Sequence, residues 1–252
     1  MWRNFVNSEQ LNEQIAQGER VEKQIAETEE QLRLTAIKND ADLFAKACEM
    51  VGKNKTEAEV TGGISLLDSL SGQGDSKYIK AIITVFKYVV PLHDGIHTEF
   101  IIGSLNKISL MSEGVYVKAV IETLSITAGL HGGKDIQKVI AILADLASQD
   151  NGTHSEVVIN HLEKLAPLYD AKYAEQVIWA LEEIAALYEG TYTEKTMKSL
   201  TKIALLDNGK YMQNVRWVLN DIGDMHDEKY KNQAAHAIEN IKRQAREMRD
   251  NN

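Results

Sequence analysis

Seven leucines, Leu105, Leu124, Leu143, Leu162, Leu181, Leu200 and Leu219, stand at a constant spacing of 19 residues, and this column constrains the fold more than any other feature of the chain. It continues without insertion to Ile238 on one side and to Phe86, Leu67 and Cys48 on the other, giving eleven units from about residue 38 to the C-terminus. A spacing held this strictly marks a repeat architecture, in which each unit buries its apolar face against its neighbours. Three positions after the column stand Val51, Leu70, Val89, Ile108, Thr127, Leu146, Leu165, Ile184, Ile203, Ile222 and Ile241. Four positions before it most units carry Ile or Val, from Ile82 and Ile101 to Val215, and the position four after it is small, as in Ala128, Ala147, Ala166, Ala185, Ala204 and Gly223. These offsets collect on one side of a 3.6-residue helix, so each unit predicts one amphipathic helix, and the small residues predict close helix approach.

Gly95, Gly114, Gly133, Gly152, Gly190 and Gly209 form a second column between the helices. Glycine there supplies the left-handed backbone that ends a helix. A tyrosine follows two residues later in several units, as in Tyr116, Tyr192 and Tyr211, and is expected to pack against the helix it introduces. The short links predict antiparallel neighbours. On the side opposite the core stripe the units alternate, with Gly103, Ala141, Trp179 and Trp217 in one series and Thr84, Glu122, Asn160, Lys198 and His236 in the other. The structural repeat is therefore expected to be 38 residues, two antiparallel helices in different layers. By its paired short helices and repeat length the chain resembles the HEAT-like class of α-solenoids, and the resemblance implies an all-α, right-handed stack from residue 38 to residue 252.

Composition agrees with helices. Only two prolines, Pro91 and Pro167, occur in 252 residues, and proline removes a helix donor and clashes with the preceding turn. Residues 1–37 lie outside the period. There Leu11, Ile15, Val21, Ile25 and Leu32 line one stripe of a Glu-rich segment, expected to be a helix that caps the apolar end of the stack or makes a coiled-coil contact with a second copy. No run approaches the roughly 20 apolar residues of a membrane span, and the opening "MWRNFVNSEQ" has no stretch of signal-peptide length, so no membrane role and a cytoplasmic location are expected. A single cysteine, Cys48, fits a reducing compartment, and its place in the leucine column predicts a buried thiol. The net charge of −9 argues against nucleic acid as the main partner, because that affinity comes from Lys and Arg neutralising phosphates.

No reaction is written in the sequence. His93-Asp94 and His226-Asp227 resemble the metal-binding pair of helical phosphohydrolases, but both occupy the same loop position of the repeat and lack further ligands at a suitable spacing. His93, His97 and Glu99 are separated by Gly95, which interrupts the helix that would align them. Phosphate-cradling glycine loops and nucleophile elbows are absent. The expectation is a protein without catalytic residues, metal or cofactor.

The tryptophans are the exception to an otherwise bland surface. Trp179 and Trp217 are equivalent residues of successive repeats, expected about 10 Å apart on adjacent helices, a usual interaxial distance. Glu183 and Asp221 follow them at i+4, and Glu175, Glu182 and Asn220 lie on or near the same surface. The stretches "WALEE" and "WVLND" resemble, in logic, the Trp-x-x-x-Asn ladder with which armadillo-repeat import receptors hold extended basic peptides. That resemblance implies that Trp179 and Trp217 take the stems of basic side chains, that Asn220 holds peptide backbone, and that Glu175, Glu183 and Asp221 accept the charges. The leading expectation is a non-enzymatic scaffold for a protein or peptide partner. One alternative is a nucleic-acid binder or DNA glycosylase-type enzyme of the HEAT-like kind, using Lys80, Lys118, Lys164, Lys198 and Lys202 of the other series. The other is a structural homo-oligomer joined through the N-terminal segment.

Overall fold

A computed structural model describes residues 38–72, 77–92, 95–111, 114–187 and 190–250. Among them the chain is all-α, with no strand. Helix α1 (38–50) is followed by α2 (Glu57–Ser71), α3 (Ile79–Val89), α4 (Thr98–Met111), α5 (Val117–Ala128), α6 (Ile136–Ser148) and α7 (Ser155–Leu165). A single turn, α8 (Leu168–Ala171), leads to α9 (Ala174–Ala186), α10 (Thr193–Ala204), α11 (Met212–Met225) and α12 (Glu228–Asp250). From α3 to α11 the long helices open at Ile79, Thr98, Val117, Ile136, Ser155, Ala174, Thr193 and Met212, the interval of the leucine column.

The column is the core. From Leu67 to Leu219 every member is fully buried, and the positions three and four residues later, such as Ile184 with Ala185 and Ile203 with Ala204, are buried with it. Each long helix packs against the next along the chain and against the one after that: α5 touches α6 and α7, and α9 touches α10 and α11. Alternate helices thereby fall into two rows, α2, α4, α6, α9 and α11 in the first and α3, α5, α7, α10 and α12 in the second. Cys48 departs from expectation. Ala47 of α1 and Val51 just after it take the innermost places, so Cys48 lies at the edge of the stripe and is only half-buried, with burial pushing its thiol pKa up. A thiol held in its protonated form is a poor nucleophile.

The glycine column does what a helix stop requires. Gly95, Gly114, Gly133, Gly152, Gly190 and Gly209 have φ between 76° and 85°, apart from Gly133 at 73°. At Gly133 the demand is also steric, because a Cβ would stand 2.5 Å from a ring carbon of Tyr169. The tyrosines also make a contact beyond the packing expected from the sequence. The hydroxyls of Tyr173, Tyr192, Tyr211 and Tyr230 donate to the carbonyls of Gly133, Gly152, Ala171 and Gly190, at 3.1, 2.7, 2.6 and 3.1 Å. Each of these four tyrosines reaches back to the turn two helices earlier and so ties neighbours of one row together. Tyr211 is buried, and Tyr211→Phe is expected to cost about 1 kcal/mol by leaving the Ala171 carbonyl without its hydroxyl donor. A denaturant melt with unchanged slope and a lowered midpoint would register it.

The segment 1–37 and the pair His93-Asp94 lie outside the described residues. No helix among the described residues is long and apolar enough to cross a membrane.

Candidate functional site

The outward face of the first row changes character along its length. Gly103 of α4 and Ala141 of α6 leave it bare, whereas Trp179 of α9 and Trp217 of α11 fill it. Each indole follows buried positions on its helix, Val177 and Ile178 for Trp179 and Val215 for Trp217, and is followed by two more, so the helical period turns it to solvent. Trp179 and Trp217 are 39% and 55% exposed, a large apolar surface to leave in water. They do not stand 10 Å apart as independent rungs. Their centroids are 5.5 Å apart with the planes at 79°, an edge-to-face pair. The two long side chains lean across the interhelical gap because each covers part of the other's apolar edge, a geometry that suits the aromatic quadrupoles. The site is thus one aromatic ridge across two helices.

Charges around the ridge follow the same break. At the N-terminal end of the row, acids on one helix are neutralised by lysines on the next: Lys107 contacts Asp68 at 3.3 Å and Lys138 contacts Glu99 at 3.0 Å. The equivalents of these pairs two repeats or more along are Glu182 with Asp221 and Glu175 with Asn214. Both lysines have gone. Asn214 donates to Glu175 at 3.3 Å, which leaves the negative charge in place. Glu182 meets a second carboxylate, and its pKa is raised by burial and by the Asp221 charge.

The structure therefore sorts the residues singled out in the sequence. Trp179 and Trp217 are in contact, Glu175 is exposed and bonded to α11, Asp221 is half-buried against Glu182, and Glu183 and Asn220 are exposed. Glu182, absent from the first choice of charge acceptors, is the carboxylate that interacts with Asp221. The signal was in the repeat: Asp68 and Lys107 occupy the equivalent positions and carry opposite charges.

His226 donates from Nε2 to the Ala185 carbonyl, 2.8 Å away, and packs on Tyr230, while Asp227 accepts from the Lys229 amide, so this pair closes a turn. No group of three or more His, Cys, Asp or Glu side chains is placed to hold a metal among the described residues. Of the second-row lysines, Lys198 pairs with Glu194 at 2.7 Å and Lys202 with Glu163 at 2.6 Å, which removes two charges from any phosphate-binding strip.

No protein-family model matches the chain, and neither a curated protein nor a solved structure matches it.

Proposed function

We propose that the chain is a HEAT-like, right-handed α-solenoid of 38-residue repeats from residue 38 to residue 252, and that it works in the cytoplasm as a non-enzymatic scaffold for a basic, extended segment of a protein partner. The observation that carries the reading is the exposed Trp179–Trp217 pair beside Glu182 and Asp221, at the register where an earlier repeat has the Asp68–Lys107 ion pair. Two carboxylates in that position repel, and an incoming ammonium or guanidinium removes the repulsion. The indole faces take the alkyl stem of the same side chain and attract its charge, an effect of about 0.5 to 2 kcal/mol per contact. Glu175 and Glu183 extend the acceptor surface along α9, and Asn220 offers an amide to the partner's backbone. Such a set supports micromolar affinity, about −8 kcal/mol, with strong dependence on salt.

Glu182→Gln separates the functional charge from the structural one. Because the folded state raises the pKa of Glu182, its ionised form is disfavoured on folding. By linkage the stability contribution is present at low pH and lost as pH rises through the folded value, so the ionised pair is a cost at neutral pH. The glutamine variant is expected to melt at or above the wild-type temperature at pH 7 and to bind a fluorescently labelled lysine-rich peptide more weakly in anisotropy titrations. Wild-type affinity should likewise fall as acid protonates Glu182, at a pH above that of an ordinary glutamate. Unchanged affinity in the variant and across that pH range would remove Glu182 from the site.

A further inference from the structure

On the second row, Glu163 of α7 is held by two donors from α10, the Ser199 hydroxyl at 2.6 Å and the Lys202 ammonium at 2.6 Å. One repeat earlier the same donor positions are His161 and Lys164 of α7, and the position of the carboxylate is Ser125 of α5. The donors are present and the acid is missing. Serine lacks the second methylene and the carboxylate of glutamate, and the Ser125 hydroxyl donates instead to the Ile121 carbonyl at 2.8 Å. A bowl of about 430 Å³ lies there, with apolar lining from Ile126, Leu165 and Leu168. That size falls in the range of small-ligand pockets.

The lining of the bowl carries a net positive charge as well. Lys195, Lys198 and Lys202 of α10 each contact a carboxylate, whereas Lys164, and Lys87 of α3, contact none among the described residues. Glu122 is the one acid in the lining, set against these two lysines. His161 is half-buried, and its covered Nδ1 has no hydrogen-bond partner. Burial, with Lys164 adding to it and Glu122 opposing, holds the ring's pKa down. In a neutral ring the covered Nδ1 is best left as the bare acceptor, which puts the N–H on Nε2.

We propose that this bowl binds a small aliphatic carboxylic acid. Its carboxylate takes the place between His161 and Lys164 that corresponds to Glu163 one repeat on, and its chain lies on Ile126, Leu165 and Leu168. The site is separate from the tryptophan ridge, which is on the other row, and does not depend on the scaffold reading.

Hexanoate titrated into the full chain, followed by NMR of the His161 ring, tests the assignment, with hexylammonium and acetate as controls for charge and for chain. The expected result is a saturable shift with hexanoate, a response at least about tenfold weaker with acetate, and none with hexylammonium. Ser125→Glu supplies the missing carboxylate from the chain itself, and should reduce hexanoate affinity at least about tenfold while melting at or above the wild-type temperature. Gly129→Leu offers a second block if that variant does not fold: Gly129 has φ of −78°, and a Cβ there meets nothing closer than 3.5 Å, so a side chain enters the bowl without backbone strain. No saturable shift at millimolar hexanoate, an equal response to hexylammonium, or wild-type affinity in the folded variants would overturn the proposal. A glutamate-bearing peptide that binds more tightly than hexanoate would overturn the assignment to a free acid.

Discussion

Replacing Trp179 and Trp217 together by alanine is expected to abolish capture of a basic peptide while leaving the helical circular dichroism unchanged. Both residues lie outside the core, 39% and 55% exposed, so removing their rings opens no interior cavity. What folding loses is the edge-to-face contact between them, about 0.5 to 1.5 kcal/mol, which lowers the melting temperature of a domain this size by about 1 to 6 °C. What binding loses is both aromatic surfaces. Charge reversal gives a sharper contrast. Asp221→Lys recreates opposite Glu182 the geometry in which Lys107 meets Asp68 at 3.3 Å, so it should hold or raise the melting temperature and still eliminate peptide binding. Combining it with Glu183→Lys should also remove the salt dependence of whatever binding persists. A double alanine variant that unfolds would make the tryptophans structural.

The largest stability effects belong to the leucine column. Leu162→Ala and Leu181→Ala are each expected to lose about 2 to 5 kcal/mol, because both side chains are fully buried and helices α6, α7, α10 and α11 surround α9 on two sides, which limits collapse into the vacated space. The neighbouring residues in sequence should behave otherwise. Glu163 and Glu182 sit off the core stripe, and Glu163→Ala gives up an exposed ion pair with Lys202 and a part-buried hydrogen bond from Ser199, worth about 1 to 2 kcal/mol together. Urea unfolding of the four single variants measures this ordering, and losses at the glutamates equal to those at the leucines would mean that the helices are rotated from the register described.

Helix positions were legible in the sequence because burial repeats. A helix that packs on both neighbours must present Ile, Leu or Val at the same offsets each time, and Leu105 to Leu219 record that demand without interruption. The turn glycines were legible for a similar reason, since φ near 80° leaves little choice of residue. The tyrosine ladder was not. Tyr173 could have packed on α9 as far as composition goes, and only the relative placement of successive turns shows its hydroxyl at the Gly133 carbonyl. Cys48 was misplaced because the column was extended into α1, where Ala47 takes the innermost place instead. At the candidate site, spacing alone put Trp179 and Trp217 on one face of neighbouring helices. The meeting of their rings depends on side-chain torsions, which a period does not encode. The apposition of Glu182 and Asp221 was encoded, but only by comparison with Asp68 and Lys107, because like charges across a helix gap are visible once the opposite-charge version elsewhere in the repeat gives the register.

The indole N–H resonances of Trp179 and Trp217, observed in a Trp2→Phe background during titration with an extended peptide of alternating lysine and small residues, test the scaffold reading most directly. The account predicts that both signals shift together and saturate with micromolar affinity, that added salt reverses the shift, and that Asp221→Lys eliminates it. Peptide binding with both indole signals unmoved would contradict it, as would the absence of any saturable shift across a series of such basic peptides.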